Sequence, residues 1–309
     1  MKKLKISIIV VLMILTASCV ANTPKSNQSK ISVVATIFPQ YDFSRQIAKD
    51  NADISMLLPL GADSHSYEPS PKDILKIQNA DLFIYTGGES DNWIEKILNT
   101  IDTSDMTIIN LVDICNTLTE EIPEGMQSEG NEEAEPDEHV WTSPENAIVI
   151  SEAIANALCD IDIENSKFYR QNFEEYASKL KELDHTFEDI CKNAKHNTLV
   201  FADRFPFRYF VERYGLKYYA AFPGCAEETE PSPATVAFLC DKLKSENIGT
   251  VFCLEFSNQK LAKTIAESTN ADIKVLYSCH TVTKEDFDSE VTYIDLMERN
   301  ARTLKEALD

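Results

Sequence analysis

Five histidines occur in this chain of 309 residues, and three of them sit where a metal ion is readily held. His65, His139 and His280 each fall in a loop that follows an apolar, β-branched run, while Asp203 and Glu255 stand at the ends of two further runs. Neutral imidazole nitrogens combined with carboxylate oxygens make a coordination sphere suited to zinc or manganese. Each residue also has a plainer reading. A loop histidine commonly does no more than hydrogen-bond at a surface, Asp203 can cap a helix over 205–214, and Glu255 can serve as an ion-pair partner. Their joint placement is what points to a metal. His185 and His196, on or just beyond a long helical pattern, suit solvent-facing or capping roles.

The elements that must position these donors are legible as a rhythm. Strand-like runs at 31–37, 54–58, 82–85, 107–111, 198–202, 217–221, 250–254 and 273–277 alternate with helical patterns or polar loops. This alternation predicts an α/β fold of two similar lobes, each a mostly parallel sheet flanked by helices, joined by one long rigid helix. Ligands bind at the carboxyl ends of parallel strands, so the five donors converge on one rim. Tyr169, Phe173, Tyr176, Leu180, Leu183, Phe187 and Ile190 recur at spacings of four and three, predicting a helix over 165–193. At 1.5 Å per residue it would run about 43 Å; two shorter helices broken near Asp184 are the alternative. The halves echo each other in Glu68-Pro69-Ser70-Pro71 and Glu230-Pro231-Ser232-Pro233, where serine caps a helix and proline fits its first turn, and Ser143-Pro144 starts a third helix.

The start of the chain addresses location. Lys2, Lys3 and Lys5 precede the apolar run from Ile6 to Leu15, too short for a membrane span but right for a secretory leader. Thr16-Ala17-Ser18-Cys19 is a slightly irregular lipobox, so the expectation is a leader over 1–18 and a lipid on Cys19, with cleavage nearby and an incidental cysteine as the plainer case. Residues 19–30 read as a flexible tether, 31–164 as an N-terminal lobe, 165–194 as the linker helix and 195–309 as a C-terminal lobe. The formal net charge of −22, more negative still without the leader lysines, disfavours nucleic acid and anionic membrane surfaces and attracts cations. Residues 120–138 carry nine carboxylates and no hydrophobic period, predicting a mobile acidic loop that leads into His139. Seven cysteines follow Cys19 without any CxxC pair, which removes zinc-ribbon and thioredoxin readings.

His65-Ser66-Tyr67-Glu68-Pro69, with Asp63 before it and Pro71 and Asp73 after, and Asp137-Glu138-His139-Val140-Trp141 with Pro144 are similar to the first and second metal-ligand motifs of the cluster A-I solute-binding lipoproteins of zinc and manganese ABC importers, a family that the sequence resembles. Phe207-Arg208-Tyr209-Phe210, Tyr214-Gly215-Leu216 and the segment containing Tyr293, Asn300, Leu304 and Leu308 extend the likeness over the mature chain. The resemblance implies one divalent ion held between two lobes. It also exposes a departure: the third ligand position falls on Arg204, whose guanidinium has no lone pair for a cation, and the fourth near Ser278-Cys279-His280. The expected metal ligands are therefore His65, His139, His280 and Asp203, with Cys279 as rival fourth ligand. Arg204 would neutralise Glu228, Glu230 or Glu255 beside the site. Alternatively Cys225 and Cys279 form a disulfide.

Three nitrogens and one oxygen favour transported Zn2+, with Mn2+ as the alternative. The expected protein is a monomer, tethered by lipid to the outer face of a bacterial cell membrane, that captures the ion and passes it to the membrane permease of an ABC importer. No HExxH helix, GxSxG elbow or P-loop supports catalysis, so a metallohydrolase is disfavoured and no enzyme is expected. A surface adhesin or structural lipoprotein with a stabilising metal site is the third reading, separable because a structural site unfolds when stripped.

Overall fold

Two four-stranded sheets carry the backbone pairing. β1 (Ile31–Ala35), β2 (Ala52–Met56), β3 (Leu82–Tyr85) and β4 (Thr107–Asn110) lie in the order β2-β1-β3-β4. β5 (Thr198–Arg204), β6 (Lys217–Phe222), β7 (Thr250–Leu254) and β8 (Asp272–Leu276) repeat it as β6-β5-β7-β8. Every pairing within the two sheets is parallel. The computed structural model describes residues 30–122, 124–126, 136–225 and 231–309; the leader, Cys19, most of the acidic segment, Glu228 and Glu230 lie outside the described residues. Among the described residues no helix is long and apolar enough to cross a membrane.

The β-branched runs become strands because both sheet faces are covered, which rewards continuous apolar sequence. Successive side chains alternate between faces. In the N-terminal lobe Val34 and Phe83 face a small cluster with Leu57, Ile77 and Ile94, while Val33 and Ile84 face the large central core. In the C-terminal lobe Val200 and Ala202 meet Leu239, Leu243 and Ile265, whereas Leu199, Phe201 and Phe252 turn to that same central core. One hydrophobic cluster is thus shared by both lobes.

The linker is a single helix, Ser166–Asn193, that buries Tyr169, Phe173, Tyr176, Leu180, Leu183 and Phe187 in the shared core. It does not break at Asp184, because this buried carboxylate is satisfied by neighbours: it accepts from Arg213 Nη2 at 2.6 Å and from the Tyr214 hydroxyl at 2.7 Å. Ser70 and Ser232 cap their helices by accepting the N–H of Asp73 and Thr235. Ser143 precedes the helix Pro144–Ile161 without a side-chain cap bond.

Hydrogen bonds also tie the lobes together. Asp42 Oδ2 accepts the Tyr293 N–H at 2.7 Å, Arg45 donates to the carbonyls of Glu290 and Val291, and the Tyr293 hydroxyl donates to the Trp141 carbonyl at 2.7 Å. With a common core and these bonds, the lobes are braced against wide hinge opening.

Candidate metal centre

His65 lies in the short 3-10 turn that follows β2, where Asp63 Oδ1 accepts its backbone N–H at 3.1 Å. Its ring Nδ1 sits 2.6 Å from the Ser90 hydroxyl, and Glu138 Oε1 accepts the Ser90 N–H at 2.7 Å. Ser90 is reached from β3 through Gly87 and Gly88, both at positive φ; a Cβ on Gly88 would come within 2.5 Å of the Glu138 side chain. At the end of β3, Asp91 Oδ2 accepts the N–H groups of Thr86 and Gly87, and burial pushes its pKa up to about 7. A carboxylate, a hydroxyl and two glycines therefore hold one imidazole.

His139 arrives after the acidic excursion from β4 and is 2 % exposed. Asp137 Oδ1 accepts its backbone N–H at 2.8 Å and faces its Nδ1 at 3.1 Å. With Nδ1 of both rings engaged, Nε2 remains for a ligand, the usual way a carboxylate or hydroxyl orients a metal-binding histidine.

His280 follows β8. Cys279 before it has φ +61, a left-handed conformation costing a non-glycine residue about 1–2 kcal/mol. The turn sends Cys279 into the shared core and His280 into the cleft. Glu255 braces the loop by accepting the Ser278 N–H at 3.0 Å and its hydroxyl at 2.9 Å, and Trp141 Nε1 donates to the Ser278 carbonyl at 2.9 Å.

The three rings form a triangle with centroid separations of 5.8, 5.9 and 6.2 Å. Rings on one tetrahedral zinc would stand about 5 Å apart, so the triangle must tighten by about 1 Å a side, and the His280 ring must also turn, because its nitrogens do not group with those of His65 and His139 within 4.8 Å. Trp141 packs beside His139 and His280 at 5.4 and 5.2 Å. The rings border a cleft of about 290 Å3 that both lobes line.

Electrostatics favours neutral rings at two of the three positions. Burial, then the neighbouring His139, lowers the His65 pKa to about 4; burial and both other histidines push His280 well below the ordinary range. Burial would lower His139 as well, but Asp137, Glu138 and Glu120 outweigh it and raise that pKa.

Other sequence-predicted donors are placed differently. Asp203 lines the cleft, yet β5 runs on through Arg204 with an irregular register, so the carboxylate lies within the strand end and accepts the N–H of Arg204 at 3.0 Å and of Leu254 at 3.3 Å. It braces β5 against β7. Arg204 Nη1 pairs across the cleft with Asp63 Oδ2 at 2.8 Å, not with Glu255, whose carboxylate is spent on Ser278. Glu255 is pushed up to about 7 by desolvation. Cys225 and Cys279 are both free thiols: Cys279 is fully buried with Sγ against the Tyr277 carbonyl at 3.7 Å, so it neither forms the alternative disulfide nor reaches the cleft as a rival ligand. His185 is exposed beside Glu188, and the His196 N–H donates to the Leu308 carbonyl.

Cys225, read from the sequence only as a possible disulfide partner, is a further candidate donor. Donor atoms of His65, His139 and Cys225 all lie within 4.8 Å of one another, a grouping without His280 or Asp203. The signal available was the repeat of Pro-Ser-Pro after both His65 and Cys225.

Comparisons with known proteins agree with this fold. The high-affinity zinc uptake system protein ZnuA of Bacillus subtilis is 31 % identical over 305 residues, 96 % of this chain and 94 % of that protein. The zinc-binding lipoprotein AdcA of Streptococcus pneumoniae is 31 % identical over 312 residues, so that the chain spans 62 % of AdcA. The crystal structure of AdcA's Zn(II)-bound ZnuA-like domain aligns with a TM-score of 0.76 over 91 % of this chain and 99 % of that domain. A Mn-bound periplasmic metal-binding protein from Candidatus Liberibacter asiaticus, 27 % identical, aligns at 0.75 over 91 % of this chain and all of its own. The model of the family described as the periplasmic zinc-uptake complex component A matches residues 33–307, and on that match together with the shared fold, the chain belongs to the ZnuA family.

Proposed function

We propose that this chain is the extracytoplasmic solute-binding component of an ABC importer, that it captures zinc between its lobes, and that it hands the ion to the membrane permease. The observation that carries the reading is the triangle of His65, His139 and His280 at about 6 Å between rings, each from a different loop at the carboxyl ends of two parallel sheets. Nitrogen donors favour zinc over manganese, which prefers an oxygen-rich shell. Relatives named for zinc uptake and zinc binding support the same choice.

The domain scheme that goes with this reading is a leader over 1–18, a lipidated Cys19 with a tether to residue 30, lobes over 31–164 and 195–309, and a linker over 165–194. The chain works as a monomer. Capture needs no chemistry on the ion: side chains exchange for its water, and release follows when docking disturbs the loops. Because the lobes share a core, the ligand loops rather than the lobes move.

Calorimetric titration of the metal-stripped protein, with native mass spectrometry, tests the proposal. One zinc per chain, bound reversibly to a protein that stays folded without it, is the expected result. Manganese bound more tightly than zinc would reassign the cargo, and unfolding on stripping would make the site structural.

A further inference from the structure

The two sheets share a strand order, so β6 stands to β5 and β7 as β2 stands to β1 and β3. The loop after β2 carries His65 and then a helix capped by Ser70; the loop after β6 carries Cys225 and then a helix capped by Ser232. Cys225 therefore occupies in the C-terminal lobe the topological place that His65 holds in the N-terminal lobe. Its position in space agrees, since its Sγ and the nitrogens of His65 and His139 fall within 4.8 Å of one another.

Two local features bring the thiol there. The preceding Gly224 lets the loop press against His139, where a Cβ would stand only 3.1 Å from Cε1 and 3.3 Å from Nδ1. Glu120 Oε1 accepts the Cys225 N–H at 2.8 Å and anchors the loop. Apart from His280, the other candidates of this lobe's sheet are committed elsewhere: Asp203 to backbone N–H groups and Glu255 to Ser278, while Arg204, paired with Asp63, has no lone pair to offer.

We propose that the Cys225 thiolate is a ligand of the captured ion, sharing it with His65 and His139, and that this sulfur makes the site select zinc over manganese. The proposal rests on the metal-capture reading above and assigns a ligand and a selectivity within it. Donor atoms around a tetrahedral zinc, with Zn–N about 2.0–2.1 Å and Zn–S about 2.3 Å, stand about 3.3–3.7 Å apart, so the present group closes by at most about 1.5 Å on binding. The S–H bond gives way to an S–Zn bond and the proton leaves to solvent. Thiolate is a soft donor that suits zinc and offers little to manganese.

Cobalt(II) is the probe, because thiolate coordination gives it a near-ultraviolet charge-transfer band that imidazole and carboxylate do not. The intact wild-type chain loaded with one cobalt should show this band, C225S should lack it, and C191S should keep it. C225S should bind zinc at least about tenfold more weakly while its manganese affinity changes far less. Zinc bound one to one by wild type with no thiolate band, or with the same affinity in C225S, overturns the cysteine assignment and leaves zinc capture standing. A wild-type chain that binds no zinc overturns both. A wild-type spectrum without the band overturns the assignment even if C225S folds poorly.

Discussion

Ser90→Ala is a sharp probe of how His65 is held. The hydroxyl lies 2.6 Å from His65 Nδ1, and the serine is itself fixed by Glu138, which accepts its N–H at 2.7 Å. Removing Oγ leaves that backbone anchor intact, so the fold should persist while the imidazole loses the partner that sets its tautomer and angle. Outer partners of this kind are worth about 10–100-fold in metal affinity, or about 1.4–2.7 kcal/mol. Zinc affinity is read by competition against a chromophoric chelator at neutral pH, with thermal melting as the control for folding. The decisive arm is a double-mutant cycle. In a His65→Ala background the same substitution should cost less than about twofold, because the two residues act through one ring. An equal loss in both backgrounds would mean that Ser90 touches the ion by another route, and no loss in either would mean that the 2.6 Å contact orients nothing.

Three further outcomes are expected. His139→Ala should weaken zinc binding at least about tenfold, while His185→Ala, whose side chain is 74 % exposed, should leave it unchanged; equal effects in the same titration would dissolve the division of the histidines. Asp91→Asn tests a buried carboxyl whose pKa of about 7 lies above its unfolded value, so the folded state holds an extra proton between about pH 4 and 7 and Asp91's contribution falls as pH rises through that window. Asparagine keeps the acceptor for Thr86 and Gly87 without the charge, so the variant should gain on wild type from pH 5 to pH 8, by no more than about 3 kcal/mol; a difference in thermal stability that ignores pH contradicts the assignment. Asp184→Ala removes the acceptor for Arg213 and Tyr214 and should lower the unfolding free energy by about 2–3 kcal/mol in denaturant titration without altering zinc affinity, whereas a loss within error would show that Glu188 and Glu145 suffice to hold Arg213.

Local pattern alone determined much of this protein. Buried parallel strands demand unbroken β-branched sequence, so β3 and β7 are readable to the residue, and the four-and-three spacing from Tyr169 to Phe187 specified one helix because a single stripe had to face a core. Loop positions of His65, His139 and His280 followed from the strands before them. Tertiary structure decided which donors meet. Strand order and loop length carry Cys225 to His65 and His139, far away in sequence, while the irregular end of β5 spends Asp203 on backbone and hands Arg204 to Asp63. Periodicity records only which side of its own element a residue occupies; whether a carboxylate faces an ion or a neighbouring N–H is settled by partners that no local spacing encodes.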